Sequence, residues 1–148
     1  MPNRLSGFLI LLGGGSIMGQ RFTAEQYMSS DLVTFTPEMD LHHAIRLLLK
    51  NRISGAPVVD GQGRLVGILT KKDCLKVAFS ASYHQELGGH VAEFMSTEVR
   101  TVDAKSDVVE VAELFLNSRF RRFPVMRNGR LVGVISRHDV LRALDDLW

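Results

Sequence analysis

Apolar and polar positions alternate along this chain in a pattern that occurs once and then again. Residues 32–35, Leu-Val-Thr-Phe, form a short β-prone run ended by Pro37, and Leu41, Ala44, Ile45 and Leu48 then recur at helical spacing behind Asp40. This predicts a strand and then a helix capped by Asp40. Residues 99–102 repeat the strand, and Val108, Val111, Ala112 and Phe115 repeat the helix, where Asp107 with Glu110 predicts a capping box. Two further β-prone runs follow each helix: 56–59 and 65–70 flank Asp60-Gly61-Gln62-Gly63, while 123–126 and 131–136 flank Asn128-Gly129. Asn-Gly between such runs is a strong hairpin signal. A second helix begins after Thr70 and after Ser136, so the repeated unit reads β-α-β-β-α, an α/β (α+β) class.

The identities repeat as well as the pattern. From Tyr27 and again from Phe94 the chain runs Met-Ser, Thr34 or Thr101, Asp40 or Asp107, Leu47 or Leu114, and Arg52 or Arg119. Pro57-Val58 or Pro124-Val125 follows, then Gly-Arg-Leu-Val-Gly from Gly63 or Gly129, and finally Asp73 or Asp139. A period of about 66 residues marks two copies of one supersecondary unit. The division expected is a leader at 1–22, a first repeat at 23–80, a connector at 81–90 and a second repeat at 91–148. Residues 91–95 read as a short helical lead-in, with 24–28 as its counterpart. One copy cannot cover its own apolar surface, so the two are expected to pack face to face around a pseudo-two-fold axis.

Composition adds limits. The chain has 148 residues, 45% apolar and 23% charged, which is an ordinary globular balance. A net charge of +2 argues against a nucleic-acid or bulk membrane-surface partner. Cys74 is the single cysteine, which excludes an intrachain disulfide and fits a reducing, cytoplasmic compartment. The run Leu9-Ile10-Leu11-Leu12 before Gly13-Gly14-Gly15 has only Arg4 as a basic start and no convincing cleavage site, so a flexible or weakly docked leader is expected rather than a secretory signal. It is too short to span a bilayer.

Candidate chemistry concentrates in Gly67-Ile68-Leu69-Thr70-Lys71-Lys72-Asp73 and its echo Gly133-Val134-Ile135-Ser136-Arg137-His138-Asp139. In both, a strand delivers a hydroxyl to the start of a helix and places an aspartate one turn inside it. Helix capping is one reading, with Thr70 or Ser136 as N-cap and Asp73 or Asp139 answering it. The other adds a ligand: a helix N-terminus with a hydroxyl and nearby cations suits a phosphate, and an outward aspartate accepts from two ribose hydroxyls. The two readings are compatible. The second copy carries Arg121-Arg122 where the first has Ser54-Gly55, and Arg137-His138 where the first has Lys71-Lys72. Arginine offers a planar fork to phosphate, which favours the Asp139 side for a charged nucleotide; the opposing reading makes Arg121 and Arg122 solvated loop charges. His42-His43 lie on different helix faces and make a poor metal pair, Cys74 has no activating motif, and the glycine run at 13–19 lacks a phosphate-binding lysine. No catalytic constellation and no metal site are expected.

With these residues in view, the chain resembles a tandem pair of cystathionine-β-synthase domains, the CBS pair or Bateman module, from about residue 24 to the C-terminus. The specific feature is Gly-apolar-apolar-Ser/Thr-x-x-Asp, present twice, each time after an apolar-Pro-Val strand. The resemblance implies a non-catalytic regulatory module that binds adenosine-containing ligands, namely AMP, ADP, ATP or S-adenosylmethionine, with no required cofactor. It implies that Asp73 or Asp139 holds the ribose, that Thr70 or Ser136 assists, and that backbone at Ala56-Pro57 or Phe123-Pro124 borders the adenine. It also implies that each cleft is completed by the lead-in strand of the other repeat. Residues 30–33, including Asp31 and Val33, would then serve Asp139, and 97–100, including Arg100, would serve Asp73. A homodimer, with apolar second-helix positions Val140, Leu141, Leu144, Leu147 and Trp148 to cover, and a separate regulated protein are the expected partners; a purely structural interaction module is the alternative.

Overall fold

The structure, a computed structural model that describes residues 22–79 and 89–147, contains two β-hairpins. The leader up to residue 21, the connector at 80–88 and Trp148 lie outside the described residues. In chain order the elements are α1 (Ala24–Tyr27), α2 (Leu41–Asn51), β1 (Gly55–Val59), β2 (Leu65–Thr70), α3 (Lys71–Leu75) and a 3-10 turn (Lys76–Phe79). Then come α4 (Val91–Phe94), β3 (Val102–Asp103), α5 (Val108–Leu116), β4 (Arg122–Arg127), β5 (Arg130–Ser136) and α6 (Arg137–Leu147). The fold is mixed α and β, as the pattern predicted.

The hairpins form where turn chemistry dictates. β1 pairs antiparallel with β2, with an irregularity between Val58 and Val59, and the Asp60 carboxylate closes the turn by accepting from the Gln62 and Arg64 amides, both at 2.9 Å. These bonds, led by the one from Arg64, hold the Asp60 carboxyl below its ordinary pKa. At the other turn Asn128 (φ 52) and Gly129 (φ 77) are both left-handed, the conformation a two-residue hairpin loop needs.

The strands expected before each first helix are much reduced. β3 keeps two residues, paired parallel to β4 through Val102 with Val125 and Asp103 with Met126. In the first repeat only Phe35 bridges Val58, its amide donating to Pro57 O at 2.9 Å and its carbonyl accepting from the Val59 amide at 2.8 Å. The remainder of 32–34 has no strand partner, because β propensity favours extended backbone without supplying a neighbour.

The aspartate caps expected for α2 and α5 also fail to form through their side chains. Backbone replaces them. The first amide of α5, Val108 N, donates to Phe22 O at 2.8 Å, and the first amide of α2, Leu41 N, donates to Gly89 O at 3.0 Å. Thr23 bridges Asp107 and His90 bridges Asp40 in the same way. The lead-in helices return the favour: Ala24 N and Glu25 N donate to Ser106 O and Ala104 O, as Val91 N and Ala92 N donate to Met39 O and Pro37 O. A four-residue helix is unstable alone, so this reciprocal satisfaction of orphan donors is what holds α1 and α4.

The consequence is an exchange of lead-ins between two compact units. One comprises the described parts of Met1–Asp31 with Arg100–Asn128 and Val132–Trp148; the other comprises those of Leu32–Val99 with Gly129–Leu131. The first has a core of Ala24, Val102, Val111, Phe115, Phe123, Val125, Ile135 and Val140, with a satellite of Phe22, Val108, Val109 and Ala143. The second is centred on Phe35, Leu41, Leu48, Val58, Leu69 and Val91. Ala24 therefore sits in the core of the second repeat, and Val91 in that of the first. Each large apolar side chain so buried contributes about 1.5–3 kcal/mol. The apolar stripe of α6 is mostly used within its own unit: Val140 is buried and Leu144 packs on the core, which leaves Leu141 exposed.

Candidate functional site

β2 delivers Thr70 to the start of α3, and β5 delivers Ser136 to the start of α6. Asp73 Oδ2 accepts from the Thr70 amide and hydroxyl, both at 2.9 Å, while Asp73 N donates back to Thr70 Oγ1 at 3.1 Å. Asp139 Oδ2 accepts from the Ser136 amide at 2.8 Å and hydroxyl at 2.9 Å, with Asp139 N returning to Ser136 Oγ at 3.3 Å. Capping is thus realised in both copies, on one carboxylate oxygen.

The other oxygen meets a cation that the sequence reading missed. Lys76 Nζ reaches Asp73 Oδ1 at 3.1 Å, and an Arg142 guanidinium nitrogen lies 3.4 Å from Asp139 Oδ1 while donating to Tyr27 O at 3.0 Å. Both cations stand three residues after the signature acid, a helical pairing distance that would have exposed them. The two acids are similarly enclosed, 10% of the Asp73 side chain and 15% of the Asp139 side chain being open, and differ chiefly in that the Arg142 bond to Asp139 is the longer. Arg142 also stacks over the Tyr27 ring, 5.7 Å from the centroid.

The signature glycines admit the exchanged lead-ins. Ser29 and Val134 exchange a pair of 2.9 Å backbone bonds, and Ser96 and Ile68 exchange bonds of 2.8 and 2.9 Å. A Cβ at Gly133 or Gly67 would stand 2.9 Å from Ser29 O or Ser96 O and collide with the Met28 or Met95 side chain. The repeated Met-Ser and the repeated glycine are therefore two halves of one contact.

Around Asp139 the structure gathers arginines with different tasks. Arg122, at the start of β4, is half-buried, and burial first and the Arg121 charge second pull its guanidinium below the ordinary value, opposed by the Asp139 carboxylate. Among the described residues Arg122 forms no ion pair. Arg137 is instead engaged, donating to Phe120 O at 3.2 Å and lying 6.0 Å over the Phe115 ring. The equivalent of Arg122 beside Asp73 is Gly55, where a Cβ would already be 3.1 Å from Leu69 O and from Thr70 Cγ2. Position 55 therefore supplies no guanidinium to that side.

The remaining expected site residues are distributed as follows. Ala56, Pro57, Phe123 and Pro124 are buried on β1 and β4. Asp31 is exposed in the unit that holds Asp139, whereas Val33 packs against the core of the other unit. Arg100 is exposed and belongs to the unit without Asp73. His42 and His43 are exposed on α2. Cys74 packs against the second core, and burial followed by the Asp73 charge raises its thiol pKa, the opposite of nucleophile activation. Among the described residues no three His, Cys, Asp or Glu side chains converge as metal ligands, and no helix is long and apolar enough to cross a membrane.

Comparison with known proteins converges on this architecture. A profile of the CBS domain matches residues 24–80 and 91–146. The crystal structure of Arabidopsis thaliana CBSX2 in complex with AMP superposes with a TM-score of 0.75 at 26% identity, covering 85% of this chain and 98% of that one. The CBS domain pair of protein MJ0100, solved with 5′-methylthioadenosine and S-adenosyl-L-methionine, gives a TM-score of 0.69 at 25% identity, covering 85% and 98%. An inosine-5′-monophosphate dehydrogenase of Methanocaldococcus jannaschii is 32% identical over 122 residues, 80% of this chain but only 23% of that enzyme. With the signature present twice and both copies matched by the profile, the chain belongs to the CBS domain family, as a tandem pair.

Proposed function

We propose that this chain is a non-catalytic regulatory module that binds an adenosine-containing ligand (AMP, ADP, ATP or S-adenosylmethionine) beside Asp139. The observation that carries this reading is the nearness of a half-buried Arg122, in no ion pair among the described residues, to a carboxylate whose Oδ2 is fixed by its own helix cap and whose Oδ1 is only loosely held. A half-buried guanidinium next to the Arg121 charge and opposed only by the Asp139 carboxylate is favourably placed for a ligand phosphate, and Oδ1, held by Arg142 at 3.4 Å, keeps a lone pair for a ribose hydroxyl. The Asp73 side lacks the arginine and has its second oxygen taken at closer range by Lys76, so it is the weaker site. Solved CBS pairs crystallised with AMP, or with 5′-methylthioadenosine and S-adenosyl-L-methionine, support the ligand class.

Calorimetric titration of AMP, ATP and S-adenosylmethionine tests the reading. Asp139→Ala should lose charge-assisted hydrogen bonds of about 1.5–3 kcal/mol, a ten- to hundredfold loss of affinity, while Asp73→Ala should lose much less. Absence of heat and of thermal shift at millimolar ligand would refute it.

The second reading, a structural module that works by self-association or by binding a regulated protein, draws on exposed Leu49, Leu75, Leu116 and Leu141. These are two pairs of equivalent positions in the two repeats, and the homodimer they favour is compatible with ligand sensing. A ligand moves such an assembly only by its differential affinity for two arrangements.

A further inference from the structure

We infer that Arg142 ties the lead-in helix α1 to the Asp139 site, so that α1 is held more tightly when a ligand's sugar hydroxyl engages Asp139 Oδ1. The inference rests on the adenosine-ligand reading and adds the residue that passes binding on.

One nitrogen of the Arg142 guanidinium faces two acceptors, Tyr27 O at 3.0 Å and Asp139 Oδ1 at 3.4 Å. Tyr27 is the last residue of α1. Its carbonyl shares a peptide unit with the Met28 amide, which donates to Ala24 O at 2.8 Å and closes that single turn. α1 has no basic residue in its own last turn, so Arg142, from α6, supplies the cation that the carbonyl end of a helix favours. The Tyr27 side chain braces the arrangement. Its ring centroid lies 5.7 Å from Arg142 Cζ, and its hydroxyl donates to Asp146 Oδ2, one turn further along α6, at 2.8 Å. All of these residues belong to one compact unit.

The first repeat has the acid and the cation without the link. Lys76 Nζ reaches Asp73 Oδ1 at 3.1 Å, yet among the described residues it donates to no atom of α4. Phe94, in the place of Tyr27, has no hydroxyl. A guanidinium presents its donors in a fixed plane, so a single group can serve the acid and the neighbouring carbonyl together.

A ribose hydroxyl donating to Oδ1 competes with Arg142 at the longer, weaker of its two contacts, and the guanidinium is then left to Tyr27 O. A stronger bond to that carbonyl polarises the peptide unit it shares with the Met28 amide and reinforces the bond to Ala24 O. Arg142 is thus a positioning residue. The ligand favours the held form of α1 only by binding that form better.

Hydrogen exchange of the full chain tests the link, with and without AMP at a concentration that calorimetry shows to saturate each variant. The internal reference is the Met95 and Ser96 amides, equivalent to those of Met28 and Ser29 and bonded to Val91 O and Ile68 O at 2.9 and 2.8 Å. With AMP, the Met28 and Ser29 amides should slow about two- to fivefold more than this reference, the scale of one half-exposed charged contact. Arg142→Lys, which copies the residue at position 76, should remove that excess, and so should Arg142→Met, whatever either does to affinity. AMP binding with equal changes at the two lead-ins, faster exchange at Met28 and Ser29, or an excess undiminished in either variant overturns the link and leaves the ligand reading standing. No binding of AMP by the parent chain overturns both.

Discussion

Gly133 lies directly beneath Met28, so close that a Cβ at position 133 would overlap the thioether and approach Ser29 O to 2.9 Å. The constraint is steric, because Ser29 and Val134 are bonded through backbone and the lead-in cannot withdraw without losing both bonds. Gly133→Ala should therefore destabilise the chain by about 1–3 kcal/mol in denaturant unfolding, the usual range for overpacking. It should also raise hydrogen exchange at the Ser29 and Val134 amides. Gly61→Ala is the control: nothing lies within 4 Å of its Cβ position, and the expected change is under about 0.5 kcal/mol. Equal losses at the two glycines would refute the contact.

Asp107 predicts a pH effect of unusual sign. Among the described residues its Oδ1 is buried without a partner beside Thr23, whose Oγ1 is likewise unpartnered, and desolvation raises the carboxyl pKa. The folded chain then holds a proton at pH values where the unfolded chain has released it. Stability contributed at this site falls as pH rises from the ordinary carboxylate value through the raised folded value, and is level above it. Asp107→Asn should be as stable as the parent or better at neutral pH, by up to about 1 kcal/mol since the residue is only half-buried, and the difference should shrink toward acid. Unfolding free energies of both proteins between neutral and acidic pH decide it; a parent that is the more stable at neutral pH and loses that lead on acidification would show a favourable charged interaction instead.

What the sequence made legible was local. Asn128-Gly129 turns because two neighbours must be left-handed, and Thr70 with Asp73 caps because the partners are three residues apart. Asp107 and Glu110 have the same spacing as a capping box, yet no side-chain cap forms: the Asp107 backbone bridges Thr23 and the next amide, Val108 N, goes to Phe22 O, both partners far away in sequence. The exchange of lead-ins was implied by the family resemblance and not by any pattern along the chain. Met28-Ser29 and Gly133 each stand out as repeated residues, but nothing along the chain shows that they touch. At the site, Arg122 could be singled out by its difference from Gly55, whereas its half-burial and the engagement of Arg137 with Phe120 depend on packing.

The two signature acids should differ in their structural weight. Truncating either removes a capping partner, typically about 0.5–2 kcal/mol. Asp73→Ala should cost somewhat more than Asp139→Ala, because the Asp73 side chain is the less open of the two, 10% against 15%, and its cation lies nearer, at 3.1 Å against 3.4 Å. Chemical unfolding of the two variants, each compared with its asparagine counterpart, measures this ranking. An Asp139→Ala variant that unfolds as readily as Asp73→Ala would mean that Asp139 serves the fold first and that its effect on ligand affinity must be corrected for folding.

Arg122 separates phosphate recognition from packing. Its guanidinium is half-buried near Asp139 and Arg121, and the neighbouring Arg137 is already committed to Phe120 O, so Arg122 is better placed than Arg137 to meet a ligand anion. Arg122→Ala should weaken AMP and ATP by about ten- to a hundredfold, the scale of one lost charge-assisted hydrogen-bonding group, and leave adenosine within about threefold. Arg122→Lys should recover only part of the loss, because an ammonium keeps the charge but not the planar fork. Removing a half-buried cation from beside Arg121 also relieves repulsion, so folding stability should be unchanged or slightly higher by thermal unfolding. A uniform loss for all three ligands together with a lower unfolding temperature would assign Arg122 to the fold and move the phosphate contact elsewhere.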